Sequence, residues 1–330
     1  MSAINYTAWD TNIQNAIVAL PEPGANQKFT RAQAFVRTFP DCLTRFRTKI
    51  ESPEYASQLA IPLADWQRHP TYLLRFLLAE WADEATGKNR TDIEAIMNVS
   101  AERVKVSQEW RSGKTGDNWT EWGYKDMDTF YSQYKTPPAE REAVNRWFFQ
   151  RFYGTDKLGR PVHFELLPNT FDEKLMLHVI QRRMINNEHT LRVRMPSLNP
   201  AEGPYHDPIM GVTWVLDARQ LSMWASASLY KTMNGMLSYT KTYTAAHYPE
   251  QGYRALVVNL GSLLITLYNL AMKVLPAQTR NTTSCYGGNE ILGEAVGWEN
   301  VPGMFKTGAT ELDMTQEEKE RSGALPWERE

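Results

Sequence analysis

The chain is 330 residues long and 42% apolar, enough for one large or two smaller domains, each with a proper core. Thirty-six basic residues against 38 acidic ones leave a formal net charge of −2, which supplies no global field for an anionic partner. No nucleic-acid partner is therefore expected, and any attraction to a membrane surface must be local. Two cysteines far apart in sequence, Cys42 and Cys285, read as plain thiols in a reducing compartment rather than as a disulfide framework.

Residues 1–28 are polar and contain Pro21-Glu22-Pro23-Gly24, which predicts an extended arm. Met1 to Leu20 lack a basic region followed by a long apolar stretch, and the first Arg appears only at Arg31, so neither a secretory signal nor an Arg-rich transit peptide is visible, and a cytoplasmic location is expected. From residue 29 helical patterns dominate. Phe35, Val36, Phe39, Leu43 and Phe46 recur at helical spacing across residues 32–50, with Pro40 kinking the helix or starting a second one. Residues 65–81 carry an apolar stripe of Trp66, Leu73, Leu74, Phe76 and Leu77, and residues 92–110 repeat the pattern with Ile93, Ile96, Val99, Val104 and Trp110. These helices predict a helical part over 29–118, ending in the polar run Ser112 to Asn118.

Residues 119–306 change character. Short runs rich in Val, Leu and aromatics, at 161–167, 211–216 and 255–260, are separated by stretches that hold helical patterns at 172–191 and 222–246. That spacing predicts crossover connections, and hence an α/β fold with parallel strand pairs. Residues 307–330 form a charged tail poor in core residues. The longest apolar segment, 255–275, is interrupted by Asn259, Gly261, Asn269 and Lys273, so no window has the length of a transmembrane helix.

Catalytic machinery is not apparent. The chain has no Gly-x-Ser-x-Gly elbow, no Gly-x-Gly-x-x-Gly turn and no P-loop. Its six histidines, at 69, 163, 178, 189, 206 and 247, lack zinc-type spacing. His206-Asp207 with Asp217 forms the nearest approach to an acid/base pair, but no nucleophile or oxyanion element accompanies it. No enzyme activity, catalytic residue, metal or cofactor is expected. The segment 263–275 is more informative: Leu263, Leu264, Ile265, Leu267, Tyr268, Leu270 and Met272 make a helix apolar nearly all round. Such a helix is either a core helix or one that divides its sides between a ligand cavity and a membrane.

The order of these segments resembles the CRAL-TRIO lipid-binding family, which includes phosphatidylinositol/phosphatidylcholine transfer proteins. Tyr72-Leu-Leu-Arg75-Phe-Leu-Leu-Ala79 is similar to the family's Leu-Leu-Arg-Phe-Leu-Arg-Ala helix, and Trp110-Arg111 to the Trp-Arg closing its helical part. Asp156-Lys157-Leu158-Gly159-Arg160-Pro161-Val162 is similar to the entry into its first strand. Val215-Leu216-Asp217, Tyr248-Pro249-Glu250, Leu256-Val257-Val258-Asn259 and Glu299-Asn300-Val301-Pro302 follow in the family's order.

The resemblance implies a helical N-terminal part and an α/β domain whose mixed, mostly parallel sheet floors a lipid pocket, with 263–275 as an apolar gate helix. It also implies a hydrophobic small molecule or phospholipid as ligand, and transient contact with a membrane surface as a peripheral protein. His163, Val212, Trp214, Val257, Leu264, Leu267 and Tyr268 are the expected pocket lining, with Glu250 and Thr279 as headgroup candidates.

Two departures bear on the ligand. Glu80 stands where phosphatidylinositol-binding members carry a basic residue, and Thr282 where they carry Lys. Val212 and Trp214 replace the small hydroxyl residues that hold phosphocholine, which favours a ligand with little headgroup, such as a sterol or isoprenoid. The other reading is a non-catalytic scaffold subunit of a larger assembly, in the cytoplasm or in an organelle, which keeps the lipid-binding fold and meets protein partners through the N-terminal arm and C-terminal tail.

Overall fold

The computed structural model describes residues 4–24, 27–81, 90–114, 118–203, 205–221, 247–272, 282–307 and 315–322. The expected helix at 222–246, residues 273–275 of the apolar helix, and Thr279 lie outside them. The chain divides into two compact units, one of residues 1–133, 188–210 and 246–250, the other of residues 134–187, 211–245 and 251–330.

The first unit is helical. Residues 6–18 of the expected arm form a regular helix, α1 (Tyr6–Val18), which starts where the Asn5 side chain accepts from Ala8 N–H at 3.0 Å. Trp9, Ile13 and Ile17, spaced four apart, put one apolar stripe into the core, which is why the segment is not extended. α1 packs on α2 (Arg31–Thr38) and α3 (Cys42–Ile50), separated around Pro40 as the sequence predicts. The Gln14 amide oxygen accepts from Leu43 N–H at 2.7 Å and Thr44 N–H at 3.2 Å, satisfying α3's first turn from a neighbouring helix. Asp10 and Arg47 form an ion pair, both almost fully buried, and Arg47 also donates to the Arg68 carbonyl at 2.7 Å. The helix Pro70–Glu80 is buried along its whole length, with Pro70 at the position where a missing N–H costs nothing. Ile93–Arg111 is the longest helix here, capped by Asp92.

The second unit holds a five-stranded sheet in the order β1 (Phe149–Thr155), β2 (Pro161–Leu166), β3 (Val212–Asp217), β4 (Gly252–Val258), β5 (Thr283–Cys285). β1 runs antiparallel to β2, and the remaining pairs are parallel. β1 does not figure among the strands expected from sequence. It is the first arm of a hairpin whose turn is Asp156 to Arg160. Asp156 Oδ1 accepts from the N–H groups of Leu158 and Arg160, each at 2.9 Å, while its Oδ2 accepts from the Thr213 hydroxyl at 2.7 Å. Gly159, at φ +76°, completes the turn in a conformation that other residues resist. One carboxylate therefore closes the hairpin and ties it to β3.

The strand ends are tied in the same way. Asn259, in the left-handed region at φ +56°, donates from Nδ2 to both oxygens of Asp217 at 3.1 Å, and the Arg219 guanidinium pairs with the same carboxylate. These contacts explain why one strand ends in Asp and the next in Asn.

Along β3 and β4 burial alternates, so the two faces of the sheet are distinct. One face carries Val162, Phe164, Leu166, Val215, Leu256 and Val258, sealed by Leu292, Val296, Val301, Met304 and Phe305 from the end of the chain. Even the charged tail contributes: Glu318, in the helix Gln316–Ser322, accepts from Gly303 N–H at 2.5 Å. Among the described residues no helix is long and apolar enough to cross a membrane.

Candidate ligand-binding face

The opposite face of the sheet is built differently. The strand register aligns Gln150 with Glu165 and Phe152 with His163, then His163 with Trp214 and Ala255, and Glu165 with Leu216, Val257 and Cys285. At the β1–β2 end Gln150, His163 and Glu165 are buried and polar, beside the buried ring of Phe152. From β3 onward the side chains are apolar and half-buried: Trp214, Leu216, Ala255 and Val257.

His163 is fully buried, with its ring edge-on between Phe152 at 4.6 Å and Trp214 at 4.5 Å. Asn186 Nδ2 lies 3.0 Å from its Nε2, and its Nδ1 faces Glu165 Oε1 at 3.3 Å. Glu165 pairs with Arg183 through its other oxygen. Burial alone would raise the Glu165 carboxyl, but the Arg183 guanidinium and His163 outweigh it and hold the group below the ordinary carboxylate range. The Glu165 carboxylate thus has both a guanidinium and an imidazole beside it. Gln150, opposite Glu165, has both polar atoms of its amide buried and without a hydrogen-bond partner. A buried amide left unpaired is an exception in folded proteins, and it marks a place where a donor and an acceptor are on offer.

At the other end of the face lies the helix Ser262–Met272. Tyr268 donates to the Thr283 carbonyl at 3.2 Å, so this helix rests on β5. Burial raises the Tyr268 phenol well above its usual range, with Cys285 adding to the effect; burial also pushes the Cys285 thiol up to about 11. The helix remains unusually exposed for its composition: Leu263 is 49% exposed, and Leu264, Ile265 and Tyr268 are half-buried.

Of the expected lining, His163, Val212, Trp214 and Val257 fall on one sheet face, and His163 touches Trp214. Val212 is fully buried at the start of β3. Leu264 and Tyr268 lie on the apolar helix, where Tyr268 reaches β5 and Leu264 is half-buried; the Leu267 side chain lies outside the described residues. Glu250 belongs to the first unit, where it pairs with Arg31 at 2.6 Å. Glu80 is neutralised by Arg90 at 2.5 Å and Arg103 at 2.9 Å, so the acid at this position is a paired carboxylate. Gln150, Glu165, Arg183 and Asn186 were not anticipated. Their signal was polar residues at alternate strand positions, facing a helix that also turns Arg and Asn inward.

Comparison with known proteins agrees with this architecture. The model of the CRAL/TRIO domain family matches residues 148–305. Two Arabidopsis thaliana proteins named phosphatidylinositol/phosphatidylcholine transfer proteins are each 26% identical to this chain. SFH4 matches over 61% of this chain and 32% of its own length, and SFH12 over 50% and 31%. The chain spans only about a third of the length of these relatives. The crystal structure of Sfh5 aligns with 81% of this chain and 85% of that one, at 14% identity and a TM-score of 0.45. The strand order, the Asp156 hairpin and the family match converge on one identification: residues 148–305 of this chain are a CRAL/TRIO domain.

Proposed function

We propose that the chain binds a hydrophobic ligand against the second face of its sheet and transfers it between membranes without catalysing a reaction. The observation that carries this reading is the asymmetry of the sheet. One face is sealed by the chain's own apolar residues, whereas the other leaves Trp214, Leu216 and Val257 half-covered beside an apolar helix that is itself exposed. Completing the burial of a large apolar side chain is worth up to about 1.5–3 kcal/mol, so a ligand laid along this strip gains affinity without any charged contact. The names of the Arabidopsis relatives support a lipid as that ligand.

The polar end of the face sets what the ligand carries. Gln150 offers an amide NH2 donor group and a carbonyl acceptor beside a charge-balanced Glu165–Arg183 pair, which suits a hydroxyl or amide and disfavours a bare ionic head. Ligand exchange requires the helix that begins at Ser262 to move off β5, breaking the Tyr268 contact, with the exposed Leu263 meeting the membrane. The scaffold reading loses part of its support, since residues 6–18 of the supposed free arm are a core-building helix.

Native mass spectrometry of the chain purified from its own source tests the proposal. A co-purifying lipid is expected, and Trp214→Ala should lower its occupancy about tenfold. Ligand-free protein that also takes up no lipid from phosphatidylcholine vesicles would refute it.

A further inference from the structure

Three side chains around Glu165 hold buried polar atoms that meet no hydrogen-bond partner: Gln150 Nε2 and Oε1, Asn186 Oδ1 and Arg183 Nε. These residues are only 6%, 1% and 9% exposed, so water does not serve them in passing. They are neighbours. Gln150 stands opposite Glu165 in the antiparallel register, Arg183 pairs with Glu165, and Asn186 lies against the His163 ring at 3.0 Å. The Arg183 guanidinium is also 5.7 Å from the centre of the Trp214 ring, which makes this polar group continuous with the half-covered apolar strip. Sorted by role, the unused atoms are two acceptors, Gln150 Oε1 and Asn186 Oδ1, and two donors, Gln150 Nε2 and Arg183 Nε. Glu165, the carboxylate among them, is already matched by Arg183, so the set fits a neutral head. To satisfy it, that head needs two donor hydrogens and an oxygen with two lone pairs. A hydroxyl brings one hydrogen and an ionised carboxylate none, whereas a primary carboxamide brings both hydrogens and the oxygen.

We propose that the ligand of this face is a long-chain primary amide, with its carboxamide among Gln150, Asn186 and Arg183 and its hydrocarbon chain along Trp214, Leu216 and Val257. The inference rests on the reading of the sheet face as a lipid site, and it narrows the ligand to one polar chemistry. A site lined with buried hydrogen-bonding groups discriminates strongly against a ligand that cannot bond them, because those groups are then left unpaired. Gln150 is accordingly the residue that sets specificity, since both atoms of its amide are unused.

The full chain is incubated with phosphatidylcholine vesicles doped with equal amounts of hexadecanamide, hexadecan-1-ol and palmitate, then re-isolated and weighed by native mass spectrometry. The three probes share one chain, so their relative occupancy reports the head. Wild type should retain hexadecanamide about tenfold over hexadecan-1-ol, and palmitate least of all. Gln150→Met, close to glutamine in shape but without its amide, should still take up the alcohol while the amide-over-alcohol ratio falls to about twofold. Gln150→Leu repeats the test with a different apolar side chain. Neither variant should unfold at lower urea than wild type, because each removes an unpaired buried amide. Retention of hexadecan-1-ol or phosphatidylcholine by wild type at no disadvantage to the amide, per mole supplied, overturns the proposal and leaves a lipid-binding face standing. An amide preference that both variants keep also overturns it. Retention of no lipid at all overturns the proposal together with the reading on which it rests.

Discussion

Glu188 gives the sharpest test of the electrostatics inside the helical unit. It is fully buried and accepts from Arg111 at 2.6 Å, Tyr248 Oη at 2.7 Å and Arg192 Nε at 2.7 Å. Burial by itself would raise its carboxyl, but Arg111, Arg192 and the Tyr248 hydrogen bond overcome that and hold it at about 2, against an ordinary value of 4.5. The difference of about 2.5 units corresponds to about 3 kcal/mol of stability. Because the folded group is the stronger acid, that stability is fully present above pH 4.5 and is lost as the pH falls toward 2. By pH 3 about 2 kcal/mol of it is gone.

Glu188→Gln keeps the shape but removes the charge that two guanidinium groups face. Urea unfolding followed by tryptophan fluorescence is a suitable assay, because Trp110 packs edge-on against Tyr248 at 5.8 Å. The variant should be about 3 kcal/mol less stable at pH 7, and the gap to wild type should shrink by about 2 kcal/mol at pH 3. A gap under 1 kcal/mol at pH 7, or one that does not change with pH, would show that the Glu188 network does not act as described.

Three further outcomes follow from the fold. Ile13→Ala should cost about 3 kcal/mol in urea unfolding, since Ile13 is 3% exposed; a cost near zero would return residues 6–18 to the status of a loose arm. Gly159→Ala places a side chain at φ +76° in the Asp156 turn and should cost about 1 kcal/mol, with unchanged stability refuting the strain argument. Tyr268→Phe removes the bond to the Thr283 carbonyl and should speed lipid exchange between vesicles by about threefold, whereas unchanged or slower exchange would argue against that contact as a latch.

The elements read correctly from sequence are those with one dominant period. Residues 93–111 and 161–166 declare themselves by helical stripe and apolar run, and Pro40 marks the break between α2 and α3. α1 was hidden because Asp10 and Gln14 interrupt its apolar stripe; they are polar yet buried, satisfied by Arg47 and by the start of α3. β1 was hidden because an edge strand with Gln150 and Arg151 mixes polar and aromatic positions, and only the hairpin turn pairs it with β2. On the candidate face, His163, Trp214 and Val257 could be placed from an ordered motif series. Glu165, Arg183 and Asn186 could not, because their meeting depends on how the helix Glu173–His189 lies over β2, a contact no local pattern encodes.

The strands follow one another across the sheet in the order in which they occur along the chain. Many nucleotide-binding α/β sheets reverse direction partway and hold their ligands in the crevice that the reversal opens at the strand tips. A sheet wound in one direction has no such crevice, and its crossovers gather on a single side, as Asn186 and Tyr268 do here. The ligand proposed above therefore lies as a layer between strands and helices rather than at the strand ends. On the proposed reading, the bound ligand itself supplies part of the hydrophobic core between strands and helices.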